Sequence, residues 1–540
     1  MEDELRTLEP IDLIAGQPQW IEPTIRIIAG VDPLGFQTIT TDRIIPRLLP
    51  GVLALSDRAR YFSFYAYLLH RYAEQKRPPN QAALSHWMKL REYEYALAVI
   101  MCPRCQSGPT GANNARPEVS RQPDAYERRE SIESHLGGYG LYYRSPMQTL
   151  GVIAPAGTPT SDGEATPVDV LLRDAPHVMA LAETFGSSVA GTRYVQQHID
   201  ASGPIPADVL AEFADAACLC RLGDHPAERD AVRDAFFQPS PQQDPVAVER
   251  RRQGFALWLA LVAEGERVTD DDGLRRAVWE RFAAPALEGG AVRSETTARW
   301  AGLAAKDYLQ EGATNLWAEA GPLLQAADRG DGLAASALTT VARQLIPDEL
   351  SVDGATLRCG PDVATAVFAA SLGTATQSML LPDVAAWARS DGRAIAGLCL
   401  LMVLRSRLPA PEAAGDDWLD TAGLSGQWQP GPVAFARRLS GHFDDEPVVL
   451  QTMEWLLRTL VIRPHEAIAY SKLPEFTFRF RHEGGRMRMY PQPFGRFILN
   501  DIRSRAMTTL STDLGLVALD GDTLVVTSAG RTLVDSVFEQ

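Results

Sequence analysis

Arginines are concentrated in one short stretch near the C-terminus, FRFRHEGGRMRM (478–489). Gly484-Gly485 suits the two-residue turn of a β-hairpin, whose positive φ angles glycine adopts at little cost. This turn places Arg481 directly opposite Arg488. Because like charges opposite one another in a hairpin repel, the pairing requires an anion or acidic side chains from another element. The stretch therefore predicts an anion-binding face.

The alternation of apolar and basic side chains supports the same register, since Phe480 then lies opposite Met489 on the apolar face. Nucleic-acid phosphate, an acidic protein partner, or carboxylates of this acidic chain (net charge −16) would each neutralise the arginines. The predicted nucleic-acid or anion ligands are Arg479, Arg481, Arg486, Arg488, Arg496, Arg503 and Arg505.

Cysteine offers a second possible chemistry. Cys102 and Cys105 form a CxxC pair in CPRC, which is half of a tetrahedral zinc site. Cys218 and Cys220 are expected on a helix, where their spacing does not suit a zinc-binding loop, and the other two cysteines are isolated. We therefore predict no metal and no cofactor, with zinc at CPRC as the alternative.

The stretch 48–77 predicts a long aromatic-rich helix with an N-cap at Ser56. Its aromatic stripe favours core packing, and Arg58 falls within that stripe, so it either reaches solvent or is buried and paired. Arg60 lies on the polar face of the same helix. A Gly-rich turn followed by a tyrosine cluster comes before Arg144. We predict Arg58, Arg60 and Arg144 as possible buried polar anchors.

Part of this stretch resembles a known group. Leu-Pro-Gly followed by Ser-Asp-Arg-Ala-Arg-Tyr is similar to the opening of uncharacterised bacterial proteins encoded near phage-defence and restriction genes. The matching residues are Pro50, Gly51, Arg58, Arg60 and Tyr61, about 30 residues of the chain are covered, and Ser56 stands where threonine is commoner. The resemblance implies a defence setting without implying a mechanism.

The sequence does not match most of the catalytic motifs that identify enzyme families. No Gly-Lys dipeptide occurs, which excludes a P-loop, and HEAIA (465–469) lacks the second histidine of a zincin. GGYG (137–140) does not match the dinucleotide-binding fingerprint, and turn geometry is the simpler interpretation. A site assembled across domains stays possible, so whether the chain is an enzyme is uncertain, with non-catalytic favoured.

The elements that must position these residues are mostly helices. Apolar residues recur at three- and four-residue spacing between 205 and 346, where strand alternation is scarce. An amphipathic helix is predicted in 494–514, then a hairpin turning at Asp520-Gly521 and a last helix capped by Ser528. This order resembles the end of a winged-helix domain. We predict a mainly α, multidomain helical protein with a small C-terminal winged-helix-like α+β module.

Length and composition divide the chain further. A chain of 540 residues exceeds a single core. Gly/Pro-rich intervals separate a mostly helical domain with long loops (1–165), a helical domain (166–346), a helical segment with linkers (347–432) and the hairpin plus winged-helix-like domain (433–540).

The expected setting is cytoplasmic, without a membrane. The N-terminus lacks the features of a signal peptide, no long apolar run occurs, and six cysteines do not make a disulfide framework. We predict a non-catalytic subunit of a bacterial defence-type complex that binds nucleic acid or an acidic protein through the hairpin and wing. The alternatives are a metal-dependent nuclease or nucleotide hydrolase, and a purely structural protein scaffold.

Overall fold

A computed structural model describes residues 32–105, 108–160, 163–239, 243–283, 295–408 and 431–538, without the side chains of 282, 283, 295 and 298. Most of the linker predicted around 408–432 lies outside these residues. Among the described helices, none combines the length and apolar composition that crossing a bilayer requires.

The described chain is mainly helical, which confirms the predicted fold class at that level. The α-helices up to residue 263 are α1 (Phe36–Ile39), α2 (Ile45–Leu48), α3 (Arg60–Glu74), α4 (Gln81–Met101), α5 (Ala112–Ser120), α6 (Arg144–Thr149), α7 (Pro176–Val189), α8 (Ala207–Ala217), α9 (Pro226–Phe237) and α10 (Pro245–Ala263). Those that follow are α11 (Asp271–Ala283), α12 (Glu295–Ala327), α13 (Ala335–Gln344), α14 (Thr365–Ala375), α15 (Leu381–Asp391), α16 (Ala394–Arg407), α17 (Pro432–Phe443), α18 (Val449–Leu456), α19 (Arg463–Ser471), α20 (Ser504–Asp513) and α21 (Ser528–Phe538).

Strands are few and short, and the described ones form five antiparallel two-stranded sheets. They are β1 (Ala125–Tyr126) with β4 (Ile205–Pro206), β2 (Ile153–Ala154) with β3 (Val170–Leu171), β5 (Glu349–Val352) with β6 (Ala355–Arg358), β7 (Phe480–Glu483) with β8 (Arg486–Met489), and β9 (Val517–Asp520) with β10 (Thr523–Val526).

Two compact units draw on discontinuous segments of the chain. The first takes its described residues from Met1–Ile44, Val278–Glu288 and Thr297–Asn500, and the second from Ile45–Ala277, Gly289–Thr296 and Asp501–Gln540. The four consecutive segments predicted from composition remain a prediction, because composition along the chain carries no information about which distant segments fold together.

The second unit is organised around α3, which packs on α7 and α9, while α4 packs on α5 and α8. The aromatic stripe of α3 is core, as predicted: Tyr61, Phe62 and Tyr65 are at most 2% exposed. The ring of Phe64 stacks on that of Tyr95 in α4, with centroids 4.1 Å apart. Aromatic packing therefore fixes the two long helices that precede the first pair of cysteines.

The first unit has its own core. Helix α16 packs on α14, α15 and α17, and α13 packs on α18. Every residue from Ala394 to Leu404 is buried, so this apolar run forms a helix in the core of the unit. Trp317 of α12 is 1% exposed, and its ring lies 4.8 Å from that of Phe494. This tryptophan and its neighbours support the apolar face of the β7–β8 hairpin.

Helix α3 begins later than predicted and is capped differently. It starts at Arg60, not at Asp57, and the hydroxyl of Ser56 instead accepts from the amide of Leu53 at 3.2 Å in the preceding turn. The amide of Ala59 donates to the carboxylate of Asp513 at 3.0 Å. A carboxylate from a distant helix thus takes the place of the predicted local cap, which spacing alone does not reveal.

The C-terminal elements follow the predicted order with shifted boundaries. Helix α20 covers only 504–513 of the predicted 494–514, because Arg503 adopts a left-handed conformation with φ of 75°, which interrupts a helix. The two residues between β9 and β10 are Gly521 and Asp522, one position beyond the predicted turn. The amide of Gly530 donates to the hydroxyl of Thr527 at 3.2 Å, so Thr527 caps α21 in place of Ser528.

Candidate functional site

The β7–β8 hairpin forms in the register that the sequence predicts. Arg481 lies opposite Arg488, and Phe480 lies opposite Met489. Gly484 and Gly485 have φ angles of 57° and 80°, as a type I′ turn requires. The ring of Phe480 is fully buried, so burial of the apolar face holds the opposed arginines in place against their repulsion.

One carboxylate of the same hairpin compensates both opposed arginines. Glu483 shares their face because it stands two positions beyond Arg481. It forms an ion pair with Arg481, and one of its oxygens lies 3.8 Å from a guanidinium nitrogen of Arg488. Its side chain also accepts from the hydroxyl of Tyr490 at 3.2 Å. The anion that the arginine pair requires is thus partly supplied from within the hairpin.

Arg486 completes the exposed face. Its Nε and Nη2 atoms donate to the carbonyl of Gly332 at 3.1 and 2.7 Å. Arg486 is in strand β8. The edge of β8 that faces away from β7 pairs with Leu333, which exchanges two backbone hydrogen bonds with Met487 at 2.7 and 2.9 Å. The carbonyl orients Arg486 without neutralising it, so this face carries three guanidinium groups and Glu483.

Arg479 is buried, which differs from its predicted place on the basic face. It is 6% exposed, and its guanidinium lies 5.7 Å from the ring centroid of Trp317. It donates to the carbonyls of Thr477 and Pro493 at 3.2 and 3.4 Å, and burial lowers its pKa. The chain turns inward here because β7 begins only at Phe480, so the alternation predicted from Phe476 onwards does not extend to Arg479.

The remaining predicted ligands are scattered. Arg496 donates to the carbonyl of Arg389 at 2.9 Å, while Arg503 is 8% exposed and lies 3.3 Å from Asp501. Arg505 is exposed on α20. Arg503 and Arg505 belong to the second compact unit and the other five arginines to the first. The structure therefore brings Arg481, Arg486 and Arg488 together on one face and does not assemble all seven.

Arg58 pairs with a carboxylate. Its Nη2 lies 3.0 Å from Asp513 of α20. Burial raises the pKa of Asp513 to about 6, although Arg58 and the amide of Ala59 both act to lower it. The pair ties the start of α3 to the end of α20 within the second unit.

Arg60 and Arg144 have carboxylate partners too. Arg60 is fully buried and donates from Nε and Nη2 to Glu228 at 3.0 and 2.9 Å. Arg144 donates to both oxygens of Asp169 at 2.6 and 3.0 Å. The bidentate geometry fixes both guanidiniums. Arg60 thus joins α3 to α9, and Arg144 joins α6 to the residue that precedes β3.

The glycine-rich turn also holds an internal anion. The amides of Gly138 and Tyr139 donate to the carboxylate of Glu92 at 2.9 and 2.5 Å, and the hydroxyl of Ser131 donates to it at 2.5 Å. Burial raises the pKa of Glu92 against these hydrogen bonds. The turn thus cradles a carboxylate of its own chain, where a phosphate loop would bind a nucleotide.

The structure brings together cysteines that the sequence keeps far apart. Cys102 follows α4, and Cys218 and Cys220 follow α8. Their three sulfurs lie within 4.8 Å of one another, and those of Cys102 and Cys220 are 3.8 Å apart. Cys105 is the neighbouring fourth cysteine: its thiol interacts with that of Cys218, but its sulfur does not lie within 4.8 Å of all three. We call these four residues the cysteine cluster.

Side chains of the second unit hold the loop that carries Cys218 and Cys220. Helix α8 ends at Ala217, and the following carbonyl, that of Cys218, accepts from Nη1 of Arg60 at 2.7 Å. The carbonyl of Ala217 accepts from the hydroxyl of Tyr95 at 2.8 Å. These hydrogen bonds satisfy carbonyl groups that a helix end leaves without partners, so the loop is positioned independently of its cysteines.

The sequence prediction missed the cluster because it extended α8 through CLC. The helix stops before Cys218, whose φ and ψ of −58° and 146° are not helical. Cys220 lies in the 3₁₀-helix Leu219–Asp224 that follows. The available signal was that each cysteine pair stands directly after a helix. The predicted absence of a metal rested partly on a helix that would hold both cysteines, and it stays a prediction.

Comparison with protein-family models, with curated proteins and with solved structures finds no match to this chain.

Proposed function

We propose that the protein is a non-catalytic binding subunit whose β7–β8 hairpin contacts the phosphates of a nucleic acid. The observation that carries the proposal is the charge of one half-exposed face, where Arg481, Arg486 and Arg488 outnumber the neighbouring carboxylates of Glu483 and Asp328. Each guanidinium has five N–H donors, and the contacts described above use two of those of Arg486. Donors on this face remain available for phosphate oxygens.

The wing-like hairpin β9–β10 suits a different role. It carries no Lys or Arg, and Asp520 and Asp522 stand at its turn. Leu519 is 68% exposed and Val525 40%. The order of α20, this hairpin and α21 supports the winged-helix-like module as a proposal. Its acidic tip and exposed apolar residues favour contact with a protein partner over contact with phosphate.

The setting that we propose is a bacterial defence-type complex. It rests on the similarity of Pro50, Gly51, Arg58, Arg60 and Tyr61 to proteins encoded near phage-defence genes. In this chain Arg58 and Arg60 pair with carboxylates of the second unit, so the signature supports folding of that unit. A defence role is therefore proposed for the whole protein and not for a site at the signature.

The distribution of buried carboxylates supports the non-catalytic assignment over a nuclease or nucleotide hydrolase. Glu92 accepts backbone amides, Asp169 pairs with Arg144, and Glu228 pairs with Arg60. Each carboxylate is thus held by donors of the fold. A metal-dependent hydrolase would instead need carboxylates that converge on a cation.

An electrophoretic shift assay with duplex and single-stranded DNA and RNA, titrated against salt, tests the proposal. Changing Arg481→Glu and Arg488→Glu together should abolish binding, and changing Arg488→Ala alone should reduce the salt slope by about 1. The matched control is Arg116→Glu with Arg121→Glu, which makes the same charge change at exposed positions in α5 and directly after it.

Unaltered binding by the double hairpin variant, or no binding by the native chain at low salt, would contradict the nucleic-acid proposal. Retention of a stoichiometric protein partner with no nucleic-acid affinity would favour the scaffold alternative. Cleavage of the probe in Mg²⁺ or Mn²⁺ would favour the hydrolase.

A further inference from the structure

The cysteine cluster has the dimensions of a tetrahedral metal site. Four thiolates at the usual zinc–sulfur distance of about 2.3 Å stand about 3.8 Å from one another. The sulfurs of Cys102 and Cys220 are 3.8 Å apart, and that of Cys218 lies within 4.8 Å of both. Cys105 interacts with Cys218 but lies outside that group of three, so a small movement of the CPRC turn would bring its sulfur to the fourth position.

The two loops have the backbone geometry that such a site needs. In CPRC the amide of Cys105 donates to the carbonyl of Cys102 at 3.3 Å, which closes a tight turn between the two cysteines. In CLC the amide of Cys220 donates to the sulfur of Cys218. Amide donors to sulfur stabilise a thiolate, and such outer contacts tune metal sites.

Charged side chains link the two cysteine-bearing segments through ion pairs. Asp224 forms ion pairs with Arg104 of the first loop at 3.0 Å and with Arg221 beside the second at 3.2 Å. Arg60 bonds the carbonyl of Cys218, and Arg58 interacts electrostatically with Cys105. Four thiolates around a divalent ion carry two net negative charges, which these arginines would share with the carboxylates that they already pair.

We propose that Cys102, Cys105, Cys218 and Cys220 bind one zinc ion through four thiolates. A single disulfide would use two sulfurs and leave the other two beside it, whereas one metal ion uses all four. Four protein ligands leave no open position for water or substrate, which makes the site structural. The ion would join the segment after α4 to the segment after α8, where Cys102 and Cys220 lie 118 residues apart in sequence.

This proposal is independent of the nucleic-acid function, because the cluster belongs to the second unit and the β7–β8 hairpin to the first. Soft thiolate ligands in a closed tetrahedral arrangement select zinc or iron among the common metals. Iron would colour the protein and zinc would not, so the two are separated by inspection and by elemental analysis.

The test is metal analysis of the full chain, expressed with added zinc and purified without a polyhistidine tag. We expect about one zinc per chain, falling to below about one tenth in Cys220→Ser. Cys220 is exposed, so serine there leaves the core intact. The matched control is Cys359→Ser, which changes a buried cysteine of the first unit. The zinc content of that variant should equal that of the native chain.

A second measurement does not depend on any variant. After removal of the metal from the native chain, addition of Co²⁺ should give the intense visible absorption of a tetrahedral thiolate site, and zinc should displace it. Absence of both zinc and the cobalt spectrum would overturn the proposal, as would disulfides among these four cysteines in the isolated native chain. Iron in place of zinc would overturn the identity of the metal.

Discussion

At the residue scale, Glu483 partly compensates the positive charge of the arginines in the β7–β8 hairpin. It lies between two arginines that would otherwise face each other without compensation, at a side-chain exposure of 26%. An anionic ligand must share these arginines with the carboxylate. Removal of the negative charge of Glu483 therefore distinguishes a face that binds an anionic ligand from a face whose charges pair only with one another.

We predict that Glu483→Gln strengthens nucleic-acid binding about fivefold at low salt, because about 1 kcal/mol of competition is removed. The same change should lower the stability of the hairpin by about 0.5 kcal/mol through the opposed arginines. Fluorescence anisotropy with a labelled oligonucleotide measures the first effect. Weaker binding by this variant would show that Glu483 supports the hairpin geometry and does not compete with the nucleic acid for the arginines.

His465 is a second residue whose surroundings determine its charge. Its Nδ1–H donates to the carbonyl of Pro33 at 3.0 Å, and its Nε2 accepts from the amide of Arg479 at 2.9 Å. Burial lowers its pKa to about 3, with Arg479 and Lys472 acting in the same direction. The imidazole is therefore neutral in the folded chain.

Because the folded pKa of His465 lies below the unfolded value of about 6.5, its stabilising contribution is complete above that pH and is lost as the pH falls toward 3. We expect the free energy of unfolding to drop by about 2 kcal/mol between pH 7 and pH 5 from this group. Urea unfolding of the native chain and of His465→Gln measures the difference. An equal pH dependence in both would contradict the assignment.

At the scale of elements, α3 and α9 are joined by a buried ion pair. Arg60 and Glu228 are both at most 1% exposed, and Ser63 adds a hydrogen bond to the same carboxylate at 2.7 Å. Helix packing in this part of the second unit is thus built around charge as well as aromatic rings. Loss of one partner leaves the other charge buried.

We predict that Glu228→Gln destabilises the protein by about 3–5 kcal/mol, because the charge of Arg60 is then uncompensated. The double change Arg60→Met with Glu228→Leu should recover most of that loss. Glu212→Gln, which removes an exposed partner of Arg193, is the control and should be unchanged within error. A stability loss in Glu228→Gln no larger than in the control would show that the buried pair is not stabilising.

At the scale of the whole molecule, the two compact units separate the candidate chemistry. The β7–β8 hairpin lies in the first unit, and the cysteine cluster lies in the second. A metal bound by the cluster stabilises the unit that contains it. Hydrogen exchange, which reports on local opening, can follow this unit by unit.

We expect removal of zinc to speed amide exchange in α4, α8 and α9 at least tenfold, and to leave α14 and α16 of the first unit unchanged. A tenfold change corresponds to about 1.4 kcal/mol of local stability. Mass spectrometry of peptides from chelated and zinc-loaded protein measures it. Equal acceleration in both units would contradict a local structural role.

The sequence by itself determined the features that depend on neighbouring residues. The register of the β7–β8 hairpin follows from Gly484-Gly485 and the alternation on either side. The buried stripe of α3 follows from helical periodicity, and the mainly helical class follows from the same spacing along the chain. These are local interactions, and nearby residue types are sufficient to specify them.

Only the tertiary structure decided which distant groups meet. It assigned Asp513 to Arg58, buried Arg479 against Trp317, and brought Cys102 within reach of Cys220 across 118 residues. Such contacts depend on where whole helices end and pack. A shift of α8 by a single turn would carry Cys218 and Cys220 into the helix and separate the cluster, and periodicity does not resolve boundaries that finely.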